Sequence, residues 1–383
     1  MVTGGKRENI IVLTKPVTLE GESDADYTAP NPLKLILGLF KHVRPGSDLT
    51  RFEVPPLLNL PKSQLQSYGE TVYCTATDML SRCNHGKSPH ERLIAVVAWS
   101  ISTLRPVQFG VAPYNPVLGE THHVSRGNFN FLLEQVSHHP PVSALHATNE
   151  EENVELTWCH RIAPKFHGAS VEAELQGKRK VKLLNHGETY VMNSPNLSIR
   201  FLPGPGTEWV GNVRIQCQET GLEAEYRCKS SSFMWRRGNH RSIKGKIFES
   251  SSLKTLYEID GHWDRIVRMK DINSGEFTDI YNAKEVISRL NATIVKDPRE
   301  LRPSESAVVW CEVSQCILSK DWEKAREAKR TVEEKQRELL RKRGSIGESW
   351  VPKHFTVSHS KENGWDCSPI QERVPPGPIV VPL

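Results

Sequence analysis

The residues with the most chemical potential stand in one run, Glu134-Gln135-Val136-Ser137-His138-His139-Pro140-Pro141. Two adjacent histidines followed by two prolines cannot continue a helix, because proline lacks the amide donor and clashes with the preceding turn. The pair is therefore expected at the end of a strand, Phe129–Val136, held by a stiff corner. Neighbouring side chains of an extended chain point to opposite faces, but a turn there brings both imidazoles to one rim. Such a pair could ligate a metal, shuttle protons or donate two hydrogen bonds to an anion, or it could be a structural corner. No His-Glu-x-x-His run or cysteine-rich partner supplies a third metal ligand. Nor does Ser137 sit in the Gly-x-Ser-x-Gly elbow of a serine nucleophile.

Two further segments invite attention. Ala112-Pro113-Tyr114-Asn115-Pro116-Val117-Leu118-Gly119-Glu120-Thr121 places two prolines around an asparagine and then a permissive glycine, which describes a rigid loop leading into a strand. Taken alone it is a structural turn. Lys329, Glu333 and Arg337 recur every four residues and share one face of a helix. On a solvated surface such pairs contribute only tenths of a kcal/mol. Lys335, Arg341, Lys342 and Arg343 add a basic flank that could meet phosphates, yet no nucleic-acid-binding module is recognised and no nucleic acid is expected as partner.

These residues need elements to position them. Residues 1–30, polar with Gly4-Gly5 and Pro30, read as a mobile leader. Asn31 to His42 reads as a short helix with Pro32 at its first position. Leu33, Ile36, Leu37 and Phe40 share one face and Leu35 and Leu39 the other, so this helix wants two apolar partners. Prolines 55, 56 and 61 precede helices at about Ser63–Leu80 and Pro89–Leu104. From Phe129 to about Tyr281 short alternating runs such as Val154-Glu155-Leu156-Thr157-Trp158 are separated by turn signals such as Asn185-His186-Gly187. Many short strands at this spacing predict a large antiparallel barrel or curved sheet rather than βαβ units. Lys320–Lys342 reads as a helix with a thin apolar seam, and residues 356–383 as an extended tail.

Eight cysteines include no Cys-x-x-Cys pair, which argues against a zinc site or dithiol redox motif, and reduced thiols are expected. The N-terminal apolar run Ile10–Leu13 is too short for a signal core. No stretch approaches the roughly 20 apolar residues of a spanning helix. A formal net charge of +5 suits anionic surfaces.

Together the three segments resemble the lipid-binding domain of the oxysterol-binding-protein-related family. Glu134–Pro141 matches that family's signature in all eight positions. Asn115-Pro116-Val117-Leu118-Gly119-Glu120 resembles its Asn-Pro-x-Leu-Gly-Glu loop, and Glu334-Lys335-Gln336-Arg337 its Glu-Lys-Gln-Arg helix. The resemblance covers about residues 31–355 and is nearest to short plant members lacking a pleckstrin-homology domain. It implies a mainly β fold: an incomplete antiparallel barrel around an apolar tunnel, an N-terminal lid at about 31–45 and a C-terminal helical region. It also implies a carrier of one sterol or other membrane lipid, exchanged for phosphatidylinositol 4-phosphate, with no enzymatic activity, metal or cofactor. Carried over by position, His138, His139 and Arg337 would hold the phosphate, Lys329 and Glu333 the inositol ring, and Asn115 the same rim. Leu33, Ile36, Leu37 and Phe40 would form the lid. The family's lysine before the Pro-x-Asn-Pro loop is replaced here by Ala112, which weakens the expectation of phosphoinositide binding. The missing signal core and the expected reduced thiols point to the cytoplasm, with peripheral contact at anionic endoplasmic reticulum or Golgi membranes; a tether protein of the endoplasmic reticulum is a candidate partner, although no two-phenylalanine acidic-tract motif for one is found. A His-dependent metal hydrolase and a lipid-sensing adaptor are the readings from other classes.

Overall fold

A computed structural model describes residues 11–19, 31–229, 241–362 and 364–383. Its largest feature is a 15-stranded sheet. Successive strands from Thr121–Arg126 to Phe277–Asn282 pair antiparallel, with Asn196–Arg200 inserted between two neighbours. The outermost strands, Phe277–Asn282 and Ile294–Val295, do not pair with each other, so the curled sheet is an incomplete barrel. Alternation sorts the side chains. Leu156 and Trp158, Val181 and Leu183, and Val213, Ile215 and Cys217 enter one buried cluster.

Two helices complete that cluster. Gln64–Tyr73 starts with a capping box in which the Ser63 amide donates to Gln66 Oε1 at 2.7 Å. It ends at Tyr73, not near Leu80 as the apolar spacing suggested. Pro89–Ser102 starts from Ser88, whose hydroxyl accepts the Glu91 amide, and buries Leu93, Val96, Val97, Trp99 and Ile101. Arg92 reaches from this helix to Glu188 with Nε–Oε2 at 2.8 Å, pairing two buried charges. The alternating runs Val171–Leu175 and Val181–Leu183 belong to one strand, Ser170–Leu183. Gly177 lies between them with φ +122°, where any Cβ would collide with the Cys159 carbonyl oxygen.

Both chain ends depart from expectation. Within the expected leader, residues 11–19 pack on the core through Leu13 and Leu19; residues 1–10 and 20–30 lie outside the described residues. The expected extended tail instead forms a hairpin, Phe355–Ser360 with Gly364–Pro369, and a strand, Ile379–Val380, beside Thr121–Arg126 in the main sheet. Phe355 and Cys367 of the hairpin pack on Val136, Val142, Ala144 and Cys159, a second buried cluster. Cys159 and Cys367 are disulfide-linked, with Cα atoms 5.4 Å apart, where reduced thiols were expected.

Candidate functional site

The strand Phe129–His138 carries the first histidine to the rim of the barrel. Its neighbours are anchors. Glu134 is fully buried and accepts the Lys353 and His354 amides, each at 2.9 Å, tying the C-terminal hairpin to the strand. Gln135, also buried, accepts the Ser143 hydroxyl at 2.6 Å and donates to the Ser137 carbonyl at 3.0 Å. The Asn115–Glu120 loop is fixed in the same way. Buried Glu120 accepts from Ser63 and Ser306 hydroxyls, the Val117 amide at 2.9 Å and the Trp310 indole at 2.9 Å. Gly119, at φ +78°, lies flat under Trp350, where a Cβ would come within 2.5 Å of the ring.

Between these anchors opens a cavity of about 510 Å³. Asn115, His138, His139, Lys329, Glu333 and Arg337 all line it, although more than 200 residues separate the loop from the helix Trp322–Ser345. The two imidazoles lie 4.7 Å apart, edge to face. His138 Nδ1 is 3.0 Å from the Pro116 carbonyl oxygen. A carbonyl only accepts, so Nδ1 carries the proton and Nε2 of the neutral ring is left as an acceptor. Burial, and then the neighbouring His139, hold the His138 pKa below the usual imidazole range. Burial and the Arg51 charge lower that of His139.

On the helix, Lys329 is buried and donates to Asn59 Oδ1 at 2.9 Å and to the Val54 carbonyl. Glu333 stands between two cations, 3.9 Å from Lys329 Nζ and 3.9 Å from Arg337 Nη2. Burial lowers the Lys329 pKa and raises that of Glu333. Arg337 also bonds Glu53 at 2.5 Å. An ammonium, a guanidinium and two imidazoles that can each gain a proton thus border one space, groups suited to an anion such as a phosphate. Sequence reasoning missed Arg51, Glu53, Asn59, Trp310 and Trp350, which line the same space. They belong to no motif quoted above. Among the described residues no three His, Cys, Asp or Glu side chains stand in a metal-binding group.

The family model described as "Oxysterol-binding protein" matches residues 38–316. The chain belongs to the oxysterol-binding protein family. Two Arabidopsis thaliana members are similar over nearly their whole length. Oxysterol-binding protein-related protein 4B is 59% identical, covering 97% of both chains. Protein 4C is 57% identical over 97% of this chain and 99% of that one. In solved structures the family fold recurs. The Osh1 ORD domain in complex with cholesterol superimposes with TM-score 0.76 at 22% identity, covering 95% of this chain and 91% of the other. The Osh3 ORD in complex with PI(4)P from Saccharomyces cerevisiae gives 0.67 at 22% identity, with 94% and 92% covered.

In this family member the helix Pro32–Phe40 lies on a small apolar cluster of its own. Ile36 is buried, while Leu33, Leu35 and Phe40 pack partly buried around Leu58, Phe166, Val171 and Phe201. The Phe40 ring is sandwiched, with centroids 5.1 Å from Phe52, 4.9 Å from Phe166 and 5.4 Å from Phe201. Leu37 departs from the face expected for it. It is 37% exposed, as Leu39 is at 36%, since the cluster takes Leu33, Leu35, Ile36 and Phe40 from this helix and leaves those two outside. No helix among the described residues is long and apolar enough to cross a membrane.

Proposed function

We propose that this chain carries one membrane lipid, a sterol foremost, inside the barrel beneath the helix Pro32–Phe40. In the same reading it takes phosphatidylinositol 4-phosphate in exchange, with the head group in the cavity at the rim. The convergence of Asn115, His138, His139, Lys329, Glu333 and Arg337 on one space supports the head-group part most directly. That similar folds are described in complex with cholesterol and with PI(4)P supports the pairing of ligands. Burying roughly 400 Å² of sterol surface yields about 10 kcal/mol at ~25 cal/mol per Å². That suffices for micromolar affinity after the costs of association. No bond need be made or broken. Work of this kind suits a carrier acting at anionic endoplasmic reticulum or Golgi membranes from the cytoplasm, with a tether protein where contact must last.

Extraction from vesicles tests the proposal. The chain should remove cholesterol from phosphatidylcholine vesicles, and phosphatidylinositol 4-phosphate should displace it; simultaneous retention of both would contradict exchange. Ala112 refines the test. It sits in the strand Ala112–Tyr114, its carbonyl accepting the Asn59 side-chain amide at 3.1 Å, so a longer side chain leaves the backbone bonds in place. A lysine there adds a cation near the head group, worth up to roughly 4 kcal/mol at 4 Å and an effective dielectric of about 20, before desolvation. Ala112→Lys should therefore bind the phosphoinositide more tightly than the parent. Equal affinity would remove Ala112 as a determinant.

The histidine tautomer gives a pH dependence. To donate to phosphate, Nε2 of His138 must gain a proton, and the ring's pKa is low in the unliganded protein. A dianionic ligand raises that pKa, so binding takes up a proton. The gain in affinity is complete below the free-state pKa and is lost as pH rises through the bound-state pKa. Phosphoinositide affinity should thus fall as pH increases from about 6 to about 8, by up to tenfold per unit for each proton taken up. Calorimetry in buffers of different ionisation enthalpy reads that uptake; a pH-independent affinity with no proton exchange would count against the histidine contact.

A further inference from the structure

The segment Asp48–Val54 carries no motif, yet its residues Thr50 to Val54 form one wall of the cavity. Its backbone is held on both sides of Arg51. The Asp48 carboxylate accepts the Thr50 amide at 2.7 Å and the Thr50 hydroxyl. Leu49 donates to the Pro164 carbonyl at 2.9 Å, and the Phe52 amide donates to the Leu49 carbonyl at 2.9 Å. The Phe52 ring is stacked on Phe40. Arg51 is therefore presented from a fixed stretch of chain, with its side chain exposed at the cavity edge.

The charges lining the cavity are Arg51, Lys329 and Arg337 against Glu53 and Glu333, three cations and two carboxylates, a net charge of +1. Arg337 is engaged by Glu53 and stands near Glu333. Lys329 has a carbonyl, an amide oxygen and Glu333 around it. Among the described residues Arg51 makes no hydrogen bond or ion pair, and its charge helps to lower the Asp48 pKa. Its charge reaches across to His139. An exposed arginine usually just stays in water, but this one borders a cavity whose other cations already have partners. A guanidinium stays charged at every physiological pH. It therefore attracts an anion at neutral pH, where both histidines are neutral.

We propose that Arg51 is a further head-group-binding residue, supplying the uncompensated positive charge that draws an inositol-borne phosphate into the cavity. The proposal rests on the phosphoinositide part of the function proposed above. Arg51→Ala and Arg51→Lys would be compared with the parent using three probes: soluble inositol 1,4-bisphosphate, phosphatidylcholine vesicles containing phosphatidylinositol 4-phosphate, and phosphatidylcholine vesicles containing cholesterol. Arg51→Ala should weaken both phosphoinositide probes by roughly ten- to a hundredfold. Arg51→Lys should recover most of the loss, and cholesterol uptake should match the parent. An Arg51→Ala protein equal to the parent with both phosphoinositide probes overturns the assignment. So does a loss seen with vesicles but not with the soluble head group, which would make Arg51 a bilayer contact. An equal loss of cholesterol uptake would assign it a structural role instead. A parent that takes cholesterol but neither phosphoinositide probe removes the head-group reading itself, and this proposal with it.

Discussion

Replacing His138 and His139 together with alanine is expected to abolish extraction of phosphatidylinositol 4-phosphate while sterol uptake stays near the parental level. Each imidazolium would give a charge-assisted hydrogen bond worth about 1.5–3 kcal/mol. Losing two therefore costs on the order of a hundred- to ten-thousandfold in affinity. The fold should tolerate the change. His139 is exposed, and His138 makes one hydrogen bond, to the Pro116 carbonyl. Neither ring belongs to the main buried cluster of sheet and helices. The anchoring of the signature rests on Glu134 and Gln135, which the double variant leaves alone. If sterol uptake fell as far as phosphoinositide extraction, the pair would be a structural corner.

Leu33→Asp with Phe40→Asp is expected to eliminate sterol uptake. Phe40 has aromatic rings stacked around it, and a carboxylate there would have to leave them or stay poorly solvated, at a cost of several kcal/mol. The helix Pro32–Phe40 is the element that gives way, because its cluster is separate from the one that holds the barrel. Circular dichroism and the thermal midpoint should change little. Leu37→Asp is the control, since that side chain is 37% exposed and a charge there meets water. Unchanged uptake in the double variant would dismiss the helix as a lid.

The strand-rich middle was legible because alternation and turn residues are local signals: Val154–Phe166 begins where they pointed, while the runs at Val171 and Val181 fuse into one strand, Ser170–Leu183. The histidine corner was legible for the same reason, since prolines exclude the helix whatever surrounds them. Which of the open chemistries the corner serves was not legible. It depends on Lys329 and Arg337 arriving from a distant helix and on the Pro116 carbonyl fixing a tautomer. Glu53 and Arg51 could not be found, because a loop residue acquires its role only from what it lies against. The prolines ahead of Ser63 marked the helix start well, whereas its end at Tyr73 had no glycine or proline to announce it. The C-terminal strands were missed for a related reason. Ile379–Val380 is two residues long, and its place beside Thr121–Arg126 is decided by pairing across more than 250 residues. The Cys159–Cys367 link joins partners 208 residues apart, a proximity that spacing does not encode.

The central claim is that one lipid occupies this chain. Native mass spectrometry of the purified full-length protein, incubated with phosphatidylcholine vesicles containing cholesterol and then with vesicles containing phosphatidylinositol 4-phosphate, tests it most directly. The account predicts a mass increment of one cholesterol per chain, replaced by one phosphoinositide after the second incubation. A protein that keeps its bare mass through both steps, or binds both lipids at once, would contradict it.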